Sequence, residues 1–379
     1  MKKYERLGEY ISEYSVRNKA NEDIQVYSVT NTNGFCTEYF DKDVASKDQT
    51  NYKIVPKGYF AYNPSRINVG SIDCQSVEDR VIVSPLYVVF KADERVDNNY
   101  LLHYLKSDIG KKYINELASG SVRANLKFSI LQEFPFPIIP IGEQKEKMAV
   151  IAKIDENIAC CDSIIEKLDL AVKSRFIEMF GTLEKPKENY PQDCLENLCR
   201  KITDGKHGGC TRVEGSGRWF VGAREIYDDA VHYETAPEID VDEFAKDYRR
   251  CNIEKGDFLI VNTGATIGKS AIASDDRTEC TLLQKSVALL KVKTDILDPV
   301  FLKYCYAVNE RMYRIGDGSA QPNLLLSKIN KTEIYVPPLV KQNEFGMFVK
   351  EIDKSKLAVQ EMKNKMEILK ASVMQEYFC

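Results

Sequence analysis

The sequence predicts an α/β (α+β) protein with two similar globular domains, separated by two long antiparallel helices that form a coiled coil, and with a pseudo-twofold internal repeat. Three observations lead to this prediction: the chain repeats itself at a fixed offset, each copy ends in a long helical pattern, and short apolar runs precede each helix. The predicted segments are a first globular domain at 1–141, a first helix at 142–181, a second globular domain at 182–339 and a second helix at 340–379.

The internal repeat is clearest between residues 120–180 and 318–378, which align at an offset of 198 without a gap and with 14 identities in 61 positions. Both copies contain a Gly-Ser…Asn-Leu turn, and Pro140 and Gln144 of the first copy recur as Pro338 and Gln342 in the second. A period this long exceeds the roughly 20–45 residues of a solenoid repeat, so each copy is predicted to fold as a domain.

The predicted strands are short apolar runs separated by loops that are rich in Asn, Thr, Ser and Gly. Together they predict a compact α/β module in front of each helix. The runs occupy 81–83, 86–90 and 134–139 in the first domain, and 258–261, 287–292 and 334–336 in the second.

Each copy ends in a segment whose apolar residues recur every three or four positions, which is the spacing of a coiled-coil seam. Residues 144–180 contain neither Pro nor Gly, and a helix of roughly 35 residues would be about 50 Å long. One interpretation lays each helix on its own domain, whereas the one that we favour pairs the two helices as an antiparallel spacer. The predicted seam consists of Ile151, Ile154, Ile158, Cys161, Ile165, Leu168 and Val172 in the first helix, and of Phe345, Phe348, Ile352, Val359, Met362, Met366, Leu369 and Val373 in the second.

The composition excludes several classes of protein. With 44% hydrophobic and 29% charged residues, the chain is neither disordered nor fibrous. No apolar run approaches the ~20 residues of a transmembrane helix and no signal-peptide pattern is present, so we expect a cytoplasmic protein without a membrane partner. Eleven cysteines without a CxxC pair, together with three histidines, indicate neither a disulfide framework nor a metal site. The net charge of −4 excludes a globally basic coat for nucleic acid but not a local basic face.

Catalytic motifs are scarce, and the most tempting one runs from Thr263 through Lys269 to Ser270. A phosphate-binding P-loop requires Gly where Thr263 stands, and it requires a long helix after the Ser, whereas a short apolar run and a polar loop follow here. An NTPase built around Lys269 is therefore an alternative that we do not favour. His207 has no nucleophile or carboxylate pattern beside it, so we interpret it as a hydrogen-bond donor and not as a general base.

Local charge indicates a DNA-facing surface. Residues 200–224 contain six basic and two acidic side chains, with Trp219 and several glycines among them. Such loops let a backbone approach phosphates closely, while Arg, Lys and Asn side chains can hydrogen-bond to base edges. An exposed loop with incidental basicity remains the alternative, and the turns that hold Arg123 and Gln321 could equally serve as helix caps. The candidate DNA contacts are Lys206, Arg212, Arg218, Thr263, Lys269 and Gln321 in the second copy, and Asn31, Asn33, Asn63, Ser65, Arg66 and Arg123 in the first.

Together these features resemble the specificity (S) subunits of type I restriction-modification systems. The resemblance covers essentially the whole chain and rests on residues 57–72 in the first half and on 202–207 and 256–268 in the second. The duplicated Gly-Ser…Asn-Leu turns, the Pro…Gln helix starts and the paired helices complete it. One departure is that the first half has no copy of the Thr203-Asp204-Gly205-Lys206-His207 loop.

The resemblance implies two target-recognition domains, each of which reads one half of a split, asymmetric site in double-stranded DNA. The helices would hold the half-sites apart and dock two modification (methyltransferase) subunits, with restriction subunits joining those. No chemistry and no cofactor are expected in this chain, because S-adenosylmethionine, ATP and Mg²⁺ would belong to the partners. The resemblance adds Thr203, Asp204, His207 and Asn262 to the candidate DNA contacts. The alternatives are the degenerate NTPase and a coiled-coil adaptor that binds proteins.

Overall fold

The computed structural model describes residues 3–37, 48–118, 125–313 and 323–378. The chain divides into two compact units, which we call unit 1 (Met1–Asp162 with Glu361–Cys379) and unit 2 (Ser163–Gln360). Each unit combines helices with β-sheets, in agreement with the predicted fold class. Within the described ranges, no helix has the combination of length and apolar character needed to cross a bilayer.

The described residues of unit 1 form mostly short antiparallel strands, three short α-helices and parts of two long ones. Its strands are β1 (Lys3–Arg6), β2 (Ile11–Glu13), β3 (Ser28–Thr30), β4 (Gly34–Cys36), β5 (Lys53–Pro56), β6 (Phe60–Tyr62), β7 (Ile72–Cys74), β8 (Arg80–Val83), β9 (Val88–Ala92) and β10 (Pro135–Ile138). Its helices are α1 (Asn98–Lys106), α2 (Asp108–Ala118), α3 (Phe128–Leu131), the first part of α4 (Ile141–Phe180) and the last part of α9 (Leu339–Phe378). A four-stranded antiparallel sheet of order β2-β9-β6-β7 forms its centre, and β1–β10, β3–β4 and β5–β8 are further antiparallel pairs.

Unit 2 repeats this plan. Its strands are β11 (Gln192–Cys194), β12 (Cys199–Asp204), β13 (Trp219–Val221), β14 (Ile226–Tyr227), β15 (Ala230–Val231), β16 (Phe258–Val261), β17 (Ser270–Ile272), β18 (Thr281–Leu283), β19 (Val287–Val292) and β20 (Glu333–Tyr335). Its helices are the last part of α4, α5 (Leu195–Leu198), α6 (Val241–Asp247), α7 (Pro299–Val308), α8 (Leu326–Asn330) and the first part of α9. The central sheet has the order β12-β19-β16-β17, the counterpart of the sheet in unit 1, whereas β13 and β18 pair in parallel.

The structure confirms the predicted repeat and strands. All six apolar runs fall on strands, namely β8, β9, β10, β16, β19 and β20, within two residues at each end. The segments assigned to spacer helices at 142–181 and 340–379 form helices that begin and end one residue earlier, and these helices, α4 and α9, have the same 198-residue offset as the sequence repeat.

Aromatic side chains anchor the long helices in the globular cores. In unit 1, Phe378 at the end of α9 is fully buried, and its ring centroid lies 5.1 Å from that of Tyr100. In unit 2, Phe180 holds the equivalent position at the end of α4 and packs edge-on against Phe301 at 5.0 Å. Phe345, near the start of α9, completes this second cluster. Each unit therefore uses the end of one long helix and the beginning of the other.

The two long helices run antiparallel within each unit. In unit 1, Asp155 and Asp162 of α4 pair with Lys370 and Lys363 of α9, so numbers rise along one helix as they fall along the other. In unit 2, Asp169 and Arg175 of α4 pair with Lys356 and Glu344 of α9, so the numbers again run in opposite directions. Both units agree with the pairing that the apolar seam predicted.

The seam differs from the prediction in α9. Leu369 and Met362 were expected on it, but their relative exposure is 47% and 53%. Lys370 and Lys363 occupy the neighbouring, less exposed positions, because each has an Asp partner on α4. The predictions that Leu369 and Met362 lie on the seam are therefore wrong. The other predicted positions are buried or partly buried, namely Ile151, Ile154, Ile158, Ile165, Leu168, Ile352, Val359 and Met366.

A buried glutamine joins each long helix to its domain. Gln144 of α4 is fully buried, donates to the carbonyl oxygens of Arg95 and Ile139 at 2.9 and 2.8 Å, and accepts from the N–H of Asp97 at 2.8 Å. Asp97 in turn caps the start of α1. Gln342 of α9 repeats the arrangement in unit 2 with Ile296, Pro337 and the capping Asp298 of α7. The repeated Gln thus fixes the angle at which each long helix starts.

Candidate nucleic-acid interface

Three loops of unit 2 meet at one edge of its central sheet, where β12 and β16 end and β19 begins. The N–H of Lys206 donates to the carbonyl of Leu283 at 2.7 Å, and the N–H of Lys285 donates to the carbonyl of Lys206 at 2.9 Å. The N–H of Asn262 donates to the carbonyl of Ser286 at 3.0 Å. Because backbone bonds join all three loops, their exposed side chains are held on one surface.

This surface contains two neighbouring depressions. Polar and basic side chains line both, Gln284 and Ser286 lie between them, and we call the lining set the unit 2 polar surface. The first has a volume of 420 Å³ and is lined by Lys206, Gly208, Thr263, Gln284, Lys285, Ser286 and Asn323. The second has a volume of 750 Å³ and is lined by Arg212, Ala223, Arg224, Glu225, Tyr227, Thr235, Pro237, Gln284 and Ser286.

Three exposed cations give this surface its positive charge. Arg212, Arg224 and Lys285 are exposed, and none of them forms an ion pair with another residue in the part of the chain that the structure describes. Free cations beside hydrogen-bonding amides and hydroxyls are the combination that contacts phosphates and reads base edges.

Asp204 has a different surrounding from that expected of a DNA contact. Its side chain is buried and pairs with the guanidinium of Arg250, which also donates to the Asp204 carbonyl at 2.9 Å. His207 is exposed, with Nε2 at 3.5 Å from the Asp204 carboxylate and 3.3 Å from Arg250. Thr203 is partly buried, and its hydroxyl donates to the Asp204 carbonyl at 3.3 Å. Asp204 therefore anchors the start of the loop, and of the three predicted contacts Thr203, Asp204 and His207, His207 is the exposed one.

Lys206 is held by helix α6. Its Nζ lies 2.6 Å from Asp247 and 3.5 Å from Glu243, and the hydrogen bond with Asp247 raises the pKa of Lys206 to about 12. The hydroxyl of Thr211 donates to Glu243 at 2.7 Å, which lowers the pKa of that carboxyl. Helix α6 thus holds the loop after β12 in place, and its carboxylates compensate most of the charge of Lys206.

Arg218 packs inside unit 2. Its guanidinium lies 5.1 Å from the centroid of the Phe244 ring and donates to the carbonyl of Gly217 at 2.9 Å. Gly217 has a φ of 66°, a left-handed conformation that a glycine adopts without strain. Arg212, six residues earlier, is the arginine that this loop exposes to solvent.

Asn262 and Thr263 connect the loop after β16 to the repeated Asn-Leu turn. Asn262 is buried, and its carbonyl accepts from the N–H of Leu324 at 2.7 Å. The hydroxyl of Thr263 donates to the side chain of Asn323 at 3.2 Å. Asn262 therefore positions the loop, while Thr263 and Asn323 line the first depression.

Lys269 lies apart from these residues and does not belong to a P-loop. It is exposed and lines a separate depression with Tyr227, Tyr313 and Lys356. Ser270 begins β17, which returns antiparallel to β16, so no helix follows whose first N–H groups could bind a phosphate. The hairpin geometry agrees with the sequence argument against a nucleotide site.

In unit 1 the predicted residues come together at the equivalent edge of the sheet. Asn63, just after β6, accepts through its side chain from the N–H of Ser65 and through its carbonyl from that of Arg66, both at 3.0 Å. Gly70 of this loop packs closely on Asn31, which lies in the β3–β4 turn with Asn33. Asn31, Asn33, Ser65 and Arg66 are exposed, and with the half-buried Asn63 they form what we call the unit 1 polar surface. Arg123 and Gln321 lie outside the described residues.

Sequence reasoning missed Gln284, Lys285, Ser286, Thr235 and Asn323 as members of the unit 2 polar surface. A signal for three of them exists, because Gln284-Lys285-Ser286 is a polar break between the apolar strands β18 and β19. No sequence signal identifies Thr235, because it shares its depression with residues that are distant in the sequence, such as Arg212 and Ser286.

Comparison with known proteins agrees with this architecture. The family model "Type I restriction modification DNA specificity domain" matches the chain twice, at residues 7–170 and 216–370. A chain from a structure on the assembly and conformational transition of the type I R-M system aligns over 99% of this chain and 97% of its own length, with 17% identity and a TM-score of 0.64. The S subunit of a type I restriction-modification system from M. genitalium aligns over 100% and 96%, with 14% identity and a TM-score of 0.52.

At such identities the two solved structures support the fold, whereas the double match to the family model covers most of the residues. The two matches fall on the two halves of the repeat that the sequence and the sheets display. The chain therefore belongs to the family of type I restriction-modification DNA specificity domains and contains two copies of that domain.

Proposed function

We propose that this chain is the DNA-reading subunit of a type I restriction-modification complex, in which the two units are target-recognition domains for the halves of a split, asymmetric site. The long helices set the length of the unread spacer and dock two modification subunits, which restriction subunits join. Methyl transfer and cleavage take place in the partner polypeptides, where S-adenosylmethionine, ATP and Mg²⁺ would bind, and the complex works in the cytoplasm.

The observation that carries this proposal is the repeated placement of polar loops. The loop that follows β6 in unit 1 and the loop that follows β16 in unit 2 lie at the equivalent edge of the four-stranded sheet of their own unit. The side chains on the two polar surfaces differ, since the unit 1 polar surface has Arg66 and several asparagines, whereas the unit 2 polar surface has Arg212, Lys285 and Gln284 from the loops beside the one that follows β16. Two equivalent surfaces with different side chains are suited to reading two different base sequences.

Docking of modification subunits on the helices is supported by their apolar surface. Single exposed apolar residues are common, but several along one helix indicate a protein partner. Leu369, which is too exposed to lie on the seam, is one of these apolar residues. The exposed large apolar residues of α4 and α9 are Ile141, Val150, Ile164, Leu170, Ile177, Val340, Met347, Leu357, Met362, Ile368 and Leu369.

Arg66→Ala and Arg212→Ala test the reading of half-sites, each as the control for the other. The complex with its modification subunits is offered a DNA pool that is randomised in both half-sites. Arg66→Ala is expected to relax base preference in one half-site and Arg212→Ala in the other, by about 5- to 150-fold at the affected position, because a good bidentate base contact contributes about 1–3 kcal/mol. Loss of binding that is uniform across all sequences would instead assign the residue to phosphate contact.

Lys285 and Lys206 are expected to differ in their effect on salt dependence. Lys285 is exposed and unpaired within the described residues, whereas Lys206 already pairs with Asp247. Lys285→Ala should reduce the slope of log K against log salt by about one, because one phosphate contact is lost. Lys206→Met should leave the slope within about 0.3 of the original value. The slopes are measured by titrating DNA at several salt concentrations, and equal changes in both variants would contradict the assignment.

A further inference from the structure

Three lysines of α9 contact three aspartates of α4, and we call these contacts the Lys–Asp ladder. Lys370 donates to Asp155 at 2.6 Å and Lys363 to Asp162 at 2.6 Å, both within unit 1. Lys356 donates to Asp169 at 2.5 Å within unit 2. The spacing is seven residues on each helix, in opposite directions, so the ladder follows the coiled-coil repeat.

The ladder differs from the ordinary ion pairs on these helices. Its lysine side chains are between 22% and 35% exposed. The lysines of two same-helix pairs, Lys153–Glu156 and Lys354–Glu351, are 71% and 62% exposed. Partly desolvated charges interact more strongly than those in open solvent, and removing one partner leaves the other charge without compensation. An error in pairing is therefore more costly here than at the surface.

In the internal repeat, the lysine row of α9 corresponds to an apolar row of α4. At the offset of 198, Lys356, Lys363 and Lys370 correspond to Ile158, Ile165 and Val172 of α4. In α4 this row is buried or partly buried and belongs to the seam. One copy therefore has apolar residues in this row and the other has lysines, each with an aspartate opposite, at positions where an apolar residue would pack without a charge.

We infer that the Lys–Asp ladder fixes the register of α9 against α4 and thereby determines the spacer length that the chain accepts. The inference rests on the proposed function, because only a DNA-reading subunit has a spacer. Polar residues at seam positions are a known means of specifying register in coiled coils, at some cost in stability.

The physical reason is that apolar rows tolerate a shift and the ladder does not. Apolar rows that repeat every seven residues face each other again when α9 slides along α4 by seven residues. Such a slip would keep two of the three rungs, and it would place Lys356 level with Phe176 in unit 2 and Asp155 level with Tyr377 in unit 1. A slip of three residues in the same direction would set all three lysines level with the apolar row of Ile158, Ile165 and Val172. The native register is the one that pairs all six charges.

The register can be read directly on the unaltered full chain with a water-soluble carbodiimide, which joins a lysine amine to a carboxylate in contact without adding atoms. Mass spectrometry of the digested protein is expected to find links for Lys370–Asp155, Lys363–Asp162 and Lys356–Asp169. Links such as Lys363–Asp169 or Lys370–Asp162 in comparable yield would show that the helices sample several registers, and the inference would be overturned. This readout needs no DNA.

The consequence for DNA is tested with charge variants of the full chain in complex with its modification subunits. A reversed variant carries Asp155→Lys, Asp162→Lys and Asp169→Lys, and a swapped variant adds Lys356→Asp, Lys363→Asp and Lys370→Asp. The matched control carries Glu156→Lys, Glu178→Lys and Glu351→Lys, which changes net charge equally but disrupts exposed same-helix pairs. Binding is measured to duplexes whose spacers differ by one to three base pairs.

The reversed variant is expected to lose at least about tenfold of the preference for the wild-type spacer, and the swapped variant to recover it within about twofold, as the control retains it. A folded swapped variant that does not recover the preference overturns the inference, as does a reversed variant with unchanged preference. If the wild-type complex shows no split site at all, the proposed function fails, while the crosslinking experiment still decides whether the ladder fixes the register.

Discussion

Deleting one heptad from both long helices is expected to shorten the accepted spacer by about three base pairs and to leave both half-sites unchanged. Removing 156–162 and 363–369 takes out one rung, Asp162–Lys363, and leaves Asp155–Lys370 and Asp169–Lys356 one heptad apart. Seven residues correspond to about 10 Å of helix, and one base pair to about 3.4 Å of duplex. The deleted length therefore equals about three base pairs.

The measurement is binding of the complex to duplexes with spacers from the wild-type length down to five base pairs shorter. Binding to the wild-type spacer should fall about 100-fold, since one half-site would lose base contacts of about 1–3 kcal/mol each, and a spacer about three base pairs shorter should bind best. As a control, deleting 156–162 alone shortens α4 by one heptad while α9 keeps its length, so the native rungs Asp155–Lys370 and Asp169–Lys356 cannot both form and binding should weaken at every spacer. An unchanged spacer preference in the paired deletion would rule out the helices as the spacing element.

Gln342→Leu is expected to lower the free energy of unfolding of unit 2 by about 3–5 kcal/mol. Leucine fills nearly the same space, but it leaves the carbonyls of Ile296 and Pro337 and the N–H of Asp298 without their partner. Each buried polar group that loses its hydrogen bond costs about 1–3 kcal/mol. At this size of domain the melting temperature should fall by about 10 °C.

Thermal denaturation of the purified chain measures this effect, with two comparisons in the same protein. Gln375→Leu makes the same substitution at an exposed position of α9 and should change the melting temperature by less than about 2 °C. Gln144→Leu should cost as much as Gln342→Leu, because its three hydrogen bonds are equivalent. A Gln342→Leu protein that melts with the Gln375→Leu control would refute the role of the buried glutamine.

Most of the fold could be predicted because its signals are local or repeated. Apolar residues at seven-residue spacing predict α4 and α9 from the sequence alone, and the offset of 198 predicts that the two copies share a plan. The six predicted strands are runs of consecutive apolar residues, a pattern that is typical of buried strands. The position of Leu369 could not be predicted, because Leu369 and Lys370 are both compatible with a seam until the partner helix is known.

The candidate site could be predicted only in outline. The polar loops that the composition indicated lie at one edge of each central sheet, but Asp204, Lys206 and Arg218 have partners within the fold. Those partners are Arg250, Asp247 and Phe244, which follow them by 26 to 46 residues in the sequence. No local pattern relates a basic loop to the helix whose side chains will pair with it. The composition of residues 200–224 therefore indicated more cations available to DNA than the structure leaves unpaired.

By itself, the amino-acid order determined the duplication, the two long helices and the regions from which a DNA-reading surface could be built. The tertiary structure alone decided which charges remain available and which are paired within the protein. The Lys–Asp ladder illustrates the reason, because its partners are 187, 201 and 215 residues apart. Hydrophobic periodicity acts between near neighbours and leaves a trace in the sequence, whereas the pairing of distant charges exists only once the chain has brought them together.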